Sequence, residues 1–270
     1  MPEVIEASDA LESVQIVLVE PAGALNVGSV ARVMKNMGLS RLVLVNPQCD
    51  RLSAEARQMA VHAADVLESA QEVATLPEAL QGCQKAIATT GRDRALTAQF
   101  PLEHPAIALP WLVNDVTRAA LIFGREDRGL ANEELHYAQR LIRIPASEVY
   151  PSLNLAQAVA ICCYELRVRG DRRFTETVEL APAGNSPSFL LDPLASLDAL
   201  EGYYQQLEAL LLKIGYLYPH TALSRMEKLR QFYSRAYPTT AEVAMLRGIL
   251  RQMEWAIRQG RQEPLEGDRE

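Results

Sequence analysis

Five short runs of Val, Ile, Leu and Ala punctuate the first half of the chain: "VQIVLVE" (14–20), "RLVLVNP" (41–47), "KAIATTG" (85–91), "AALIFGRE" (119–126) and "RLIRIPA" (140–146). A strand that is apolar on both faces must be covered on both faces, and that favours a parallel sheet packed between helices. The segments between the runs carry helical spacing. "GSVARVMKNMG" sets Val30, Val33, Met34 and Met37 three and four apart, and Gly38 ends it. "SAEARQMAVHAADVLESA" reads as one helix capped by Ser53. "LPEALQGC", "AIALPWLVNDV" and "ANEELHYAQ" are shorter helical stretches, and "NLAQAVAICCYELRVR" (154–169) is the longest apolar helix of this half. Strand–helix alternation therefore predicts an α/β domain with a parallel sheet over residues 1–169.

From 170 to 193 the character changes to Gly, Pro, Ser and charge, which reads as a linker. Helical patterns follow near 194–216, 221–236 and 240–259, with no strand signal, so residues 194–270 form a small all-α extension with a polar tail. No internal repeat is visible.

Several chemistries lack residues to carry them. Cys49, Cys83, Cys162 and Cys163 make no C-x-x-C pair, which argues against zinc and against a disulfide framework. His62, His104, His136 and His220 show neither metal-site spacing nor a nucleophile motif, so no metal is expected. No signal peptide and no spanning run of about 18 apolar residues appears, so the expectation is a cytoplasmic protein away from membranes. The net charge of −7 excludes a broadly basic surface, so any nucleic-acid contact must use local patches.

In an open parallel sheet, ligands bind beyond the carboxyl ends of the strands. That selects the loops "EPAGALNVGSVAR", "TTGRDR", "FGREDRGL" and "IPASEVYPSLNLA". Neither G-x-G-x-x-G nor a Walker A sequence follows a strand. Gly28, Gly91, Gly124 and Gly129 come singly, each a ligand-approach point or an ordinary turn. Asn26 is an N-cap or a ligand contact. Arg32, six residues further into the helix, either reaches back toward phosphate or ribose or is a solvated surface arginine. Glu126 either sits in a solvated turn or faces a cleft, and Ser152 and Asn154 either cap the next helix or meet a ligand.

Together, "NVGSVAR" (26–32), "LIFGREDRGL" (121–130) and "IPASEVYPSLNLAQAVAICCYELR" (144–167) resemble the SPOUT class of RNA methyltransferases. The likeness is to the branch that methylates ribose 2′-hydroxyls, and within it to members acting at nucleotide 32 of the tRNA anticodon loop. "MEKLRQFYSRAYPTTAEVAMLRGIL" is similar to the C-terminal extension of those members. The resemblance implies a parallel-sheet domain whose C-terminal part threads a deep trefoil knot, a homodimer, and S-adenosylmethionine as methyl donor. It implies that Thr89, Thr90, Gly91, Gly124, Ile144, Pro151, Ser152 and Leu153 line the donor site. It implies Arg32 as the catalytic arginine, with Asn26, Glu126 and Asn154 around it.

An acidic protein that binds tRNA needs a positive patch. Between 213 and 258 eight basic residues stand against three acidic ones. Arg225, Lys228 and Arg235 fall on one helical face, and Arg247 and Arg251 lie four apart. These residues are expected to grip the tRNA backbone, with Arg92 and Arg94 assisting near the site. Two rivals are kept: a 2′-O-methyltransferase for ribosomal RNA or another tRNA position, and a non-catalytic RNA-binding protein of the same fold.

Overall fold

The computed structural model describes residues 7–91, 101–114, 117–170 and 193–260. In chain order the first elements are α1 (Ala7–Glu12), β1 (Val14–Val19), α2 (Ala24–Asn36), β2 (Arg41–Val45), α3 (Ala54–Ala60), α4 (Ala64–Ser69), β3 (Gln71–Val73) and α5 (Leu76–Ala79). They continue with β4 (Lys85–Thr89), β5 (Leu102–Glu103), α6 (Pro105–Ala108), a 3-10 turn (Leu109–Val113), β6 (Ala119–Phe123), α7 (Asn132–Leu135), β7 (Arg140–Ile142) and α8 (Leu155–Gly170). Among the described residues the seven strands form one sheet in the order β3-β2-β1-β6-β4-β7-β5. Every pairing is parallel. All carboxyl ends therefore point to one edge, and every strand-to-helix loop opens there.

Burial explains why the apolar runs became strands. β1 and β6 are buried along their whole length. Ile16, Leu18, Leu121 and Phe123 share a core with Met34 of α2 and Cys162 and Leu166 of α8. Gly28 is not a ligand turn. It lies buried inside α2, where an added Cβ would stand 2.1 Å from the Ala56 carbonyl oxygen, so its absence lets α3 approach.

Three local expectations change. The sheet has β3 and β5 besides the five expected strands. β3 is three residues long with two of them exposed, and β5 has only two, so neither contains an apolar run. The helix expected from Ser53 onward breaks at Val61, whose φ of +54° no helix accommodates, and resumes as α4. Ser53 does cap α3, accepting the Ala56 amide at 3.2 Å. Asn26 is not an N-cap: α2 starts at Ala24 with Gly23 as its cap residue, which leaves the Asn26 side chain for another task.

The chain divides into two compact units, Met1–Ser186 and Pro187–Glu270. Most of the stretch read as a linker, 171–192, lies outside the described residues. The second unit holds α9 (Leu197–Lys213), α10 (Pro219–Ser234) and α11 (Thr240–Gly260). Its own core gathers Tyr203, Tyr204, Leu207, Leu217, Met226 and Leu250. An ion pair crosses it: Arg230 binds Glu201 and lies 4.7 Å from the Tyr204 ring centroid.

Candidate active site

β6 ends at Phe123, and the chain folds back at once. The Gly129 amide donates to the Arg125 carbonyl at 2.8 Å, and Gly129 takes a φ of +67°. The turn is so tight that a Cβ on Gly124 would lie 2.2 Å from the Gly129 carbonyl carbon and the Leu130 amide. Only glycine serves at Gly124, and the loop presents Glu126 toward the end of β1.

Glu126 is met by donors of the β1–α2 loop. Its carboxylate accepts from the Ala22 amide at 3.0 Å, the Gly23 amide at 3.1 Å and Asn26 Nδ2 at 2.9 Å. Two of these donors come from backbone at the start of α2, where amides lack helical partners. Burial raises the Glu126 carboxyl, but the bonds from Ala22, Asn26 and Gly23 outweigh it and hold the group below its ordinary value. An ionised carboxylate accepts only, so the Asn26 NH2 must face it. The Asn26 carbonyl oxygen then faces outward and accepts from Asn154 Nδ2 at 2.9 Å. Asn154 Oδ1 in turn accepts the Ala156 amide at 2.9 Å and caps α8. One ionisation state thus fixes the orientation of two amides across separations of 100 and 128 residues.

A second clamp holds the other side of the β6 loop. Arg128 Nη2 lies 2.8 Å from a Glu20 oxygen and 3.1 Å from a Glu134 oxygen. The pairing drives the Arg128 guanidinium up from its ordinary value and Glu20 down. Nothing in the sequence pattern foretold this triad. In the charged turn "REDR", Arg125 and Asp127 pair at 3.1 Å and Arg128 serves the clamp, and all three also border the cleft between the strand ends and α8.

Between the strand ends and α8 lies a cleft of about 200 Å³. Thr89, Thr90, Gly91, Gly124, Ile144, Pro151, Ser152 and Leu153, the residues expected at a donor site, all line it. Phe123, Leu130, Leu155 and Ala158 add apolar wall that the sequence reading missed, since a core residue and a wall residue look alike in sequence. Glu126 borders the cleft as well.

Arg32 does not line the cleft of its own chain. It is exposed on α2, in the same stripe as Leu25 and Ser29, away from the buried Val27, Val30, Ala31 and Met34. Arg92 and Arg94 lie outside the described residues. In the second unit Arg225, Lys228, Arg235 and Arg251 are exposed, whereas Arg247 is half-buried and its Nε donates to Gln206 at 3.0 Å. Cys162 and Cys163 are buried, and burial pushes Cys163 up to about 12, which makes both poor nucleophiles. No described helix is long and apolar enough to cross a membrane.

Residues 13–164 match the SpoU rRNA Methylase family, and residues 198–264 match the C-terminal domain of the tRNA methyltransferase TrmJ. The chain belongs to the SpoU methylase family. Within that family of RNA methyltransferases it is similar to TrmJ proteins along most of its length. The tRNA (cytidine/uridine-2′-O-)-methyltransferase TrmJ of Pectobacterium atrosepticum is 40% identical over 89% of this chain and 96% of its own. The tRNA (cytidine/uridine/adenosine-2′-O-)-methyltransferase TrmJ of Pseudomonas aeruginosa is 39% identical over 89% of this chain and 93% of its own. The crystal structure of TrmJ from Z. mobilis superposes with a TM-score of 0.76 at 30% identity, covering 89% of this chain and 98% of that one. The SpoU methylase match spans the cleft, the Glu126 brace and most of α8.

Proposed function

We propose that the protein is an S-adenosylmethionine-dependent methyltransferase for the ribose 2′-hydroxyl of cytidine or uridine at nucleotide 32 of the tRNA anticodon loop. It works in the cytoplasm as a homodimer. Residues 1–169 are the catalytic domain, with its C-terminal segment threaded as a trefoil knot; 170–193 are the linker and 194–270 the tRNA-gripping extension. The observation that carries the reading is the Glu126–Asn26–Asn154 brace, which ties three distant loops together beside one cleft.

The cleft suits the donor. Gly124 and Gly91 leave backbone amides and carbonyls uncovered by side chains at its wall, as recognition of a purine edge requires. Phe123, Leu130, Ile144 and Leu153 offer the apolar surface a nucleoside ring needs. Thr89, Thr90 and Gly91 would hold the donor from one side and the Pro151–Asn154 turn from the other. No metal takes part.

Bound S-adenosylmethionine supplies an electrophilic methyl group on a sulfonium. The chain supplies alignment and charge. Asn26 and Asn154, locked by ionised Glu126, fix the turn that borders the acceptor ribose. Arginine is a permanent cation, so Arg32 acts as an electrostatic group rather than a base. It aligns the 2′-hydroxyl with the adjacent phosphate and stabilises negative charge on the oxygen as its proton leaves to solvent. Its exposed place on α2 supports a site completed by a second copy. Leu25 on α2, and Ile161 and Tyr164 on α8, which packs against α2, are exposed apolar residues of the kind a subunit interface uses. Arg32 would then serve the partner's cleft.

Nucleoside mass spectrometry on unmodified tRNA, incubated with protein and donor, tests the reading. Methylated ribose at nucleotide 32 is expected. Modification elsewhere overturns the position, and failure to bind donor in a titration overturns the enzyme in favour of an RNA-binding protein.

A further inference from the structure

The turn from α9 to α10, "KIGYLYPH" (213–220), places three rings on the surface of the second unit. Gly215 ends α9 with a φ of +79°, and the Tyr216 and Leu217 amides both donate to the Leu211 carbonyl, at 3.0 and 3.1 Å. Leu217 is 1% exposed and anchors the turn in the core. Its neighbours on either side are thereby turned outward: Tyr216 is 58% and Tyr218 55% exposed. Pro219 then opens α10 with its fixed φ. A capped helix end, a buried leucine and a proline make this a stiff turn, so the rings are held ready rather than flexing freely.

The surroundings are cationic. Arg225, six residues beyond the start of α10, reaches back so that its Nη1 donates to the Tyr216 carbonyl at 3.0 Å and its guanidinium sits 5.5 Å from the Tyr216 ring centroid. The rings of Tyr218 and His220 lie within 23° of parallel, with centroids 5.9 Å apart. Lys213 and Lys228 are exposed nearby in sequence. The unit's core is complete without the two tyrosines, so folding does not account for them.

We infer that this turn is a stacking platform for unpaired RNA bases, a conclusion that rests on the tRNA reading above. Flat rings held outward offer π-faces that any base can stack on, and a guanidinium beside them adds a further planar surface. Paired bases are already stacked inside their helix, so only loop or end nucleotides fit. The lysines take the phosphates between the stacked bases. Ile214 within the turn and Leu212 and Leu223 close to it in sequence are exposed as well, but Lys213, Arg225 and Lys228 are set among them, and rings interspersed with cations suit a polyanion better than an apolar protein face.

The test uses the full chain, a labelled unmodified tRNA transcript and fluorescence anisotropy. The double substitution Tyr216→Ala with Tyr218→Ala should weaken tRNA binding about tenfold or more while leaving the salt slope unchanged, because no cation is lost. Tyr216→Phe with Tyr218→Phe should bind as wild type, since stacking needs the ring and not the hydroxyl. A single-stranded oligonucleotide should displace the tRNA better than a duplex of equal length. Binding by the alanine pair within about twofold of wild type overturns the platform, as does a phenylalanine pair as weak as the alanine pair. Thermal melts of both pairs should match wild type, because the rings are exposed. Methylation by the wild-type protein separates the failures. An active, tRNA-binding wild type with an unaffected alanine pair sinks the platform alone, whereas a wild type that neither binds nor methylates tRNA sinks both.

Discussion

Around the cleft of the first unit and along the helices of the second, charged side chains are treated in opposite ways. In the first, Glu126 is met by donors about a hundred residues away, and Arg128 joins distant Glu20 to nearby Glu134. In the second, one arginine is locked inside, Arg230 on Glu201, while Arg225, Lys228, Arg235 and Arg251 stand exposed without an acidic partner among the described residues. A pocket for one small molecule must hold its shape, so its polar groups satisfy each other before the ligand arrives. A surface for a polyanion works the other way. Each ion pair it makes with itself must be broken when RNA binds, so its cations stay free.

Arg32 stands apart from the brace and the clamp of the first unit, exposed on α2 as Glu55, Glu133 and Glu148 are exposed elsewhere on that unit. If it completes the partner's cleft, Arg32→Ala should cut methyl transfer about 10³-fold with donor affinity intact. Arg32→Lys should recover little, because a point charge does not replace a planar fork. Mixing Arg32→Ala chains with Glu126→Ala chains sharpens the point. Mixed dimers hold one intact site, so about a quarter of wild-type activity should return. No recovery on mixing would show that Arg32 acts within its own chain.

Glu126→Gln tests whether the brace, rather than the carboxylate itself, is what matters. A glutamine donates as well as accepts, so Asn26 loses its reason to hold one orientation and Asn154 loses its partner. Transfer should fall about a hundredfold through misplacement, with the fold retained. The pH dependence follows from the direction of the shift. The folded carboxyl lies below its ordinary value of 4.5, so the brace is fully formed at neutral pH and is lost only as the pH falls below that value. Activity of the wild type between pH 6 and about 9 should therefore show no titration from Glu126. A profile collapsing near pH 6 would contradict an ionised, braced Glu126.

How much of this was written in the sequence differs between the same two regions. Apolar runs declared β1, β2, β4, β6 and β7, because strands buried on both faces are continuous in composition. β3 and β5 left no trace, since edge pairing needs backbone only. The cleft was legible wherever a loop left a buried strand, as at Gly124 and Thr89. The Glu20–Arg128–Glu134 clamp was not, because ion pairs depend on where loops fold and carry no period. Gly28 misled for a related reason: a glycine that lets two helices touch looks like one that lets a ligand in. In the second unit the positive charge was countable from the chain, but not that Arg230 faces inward to Glu201, nor that Leu217 turns its two tyrosine neighbours outward.

The inward arginine gives a smaller, cleaner test of independence. Arg230→Ala strands Glu201 in a site about four-fifths shielded from water and removes the cation over Tyr204. The second unit should lose about 2 kcal/mol, below the range for fully buried pairs because some solvent reaches this one. Donor binding should not change, since each unit has its own core. Loss of donor affinity in this variant, seen by calorimetric titration beside a thermal melt, would break the division drawn between the units.

The smallest effect should come from the exposed cations, and its form matters more than its size. Lys228 touches no acidic side chain among the described residues, so Lys228→Gln breaks nothing in the free protein. If it meets a phosphate, tRNA affinity should drop less than tenfold at low salt, with the slope of log K against log salt falling by about one. Every tRNA should be affected alike, because a phosphate contact carries no sequence information. Arg230→Ala should instead change the melt at any salt. A Lys228→Gln protein with an unaltered salt slope would place the RNA elsewhere, and would mean that unpaired charge on this unit serves solubility rather than binding.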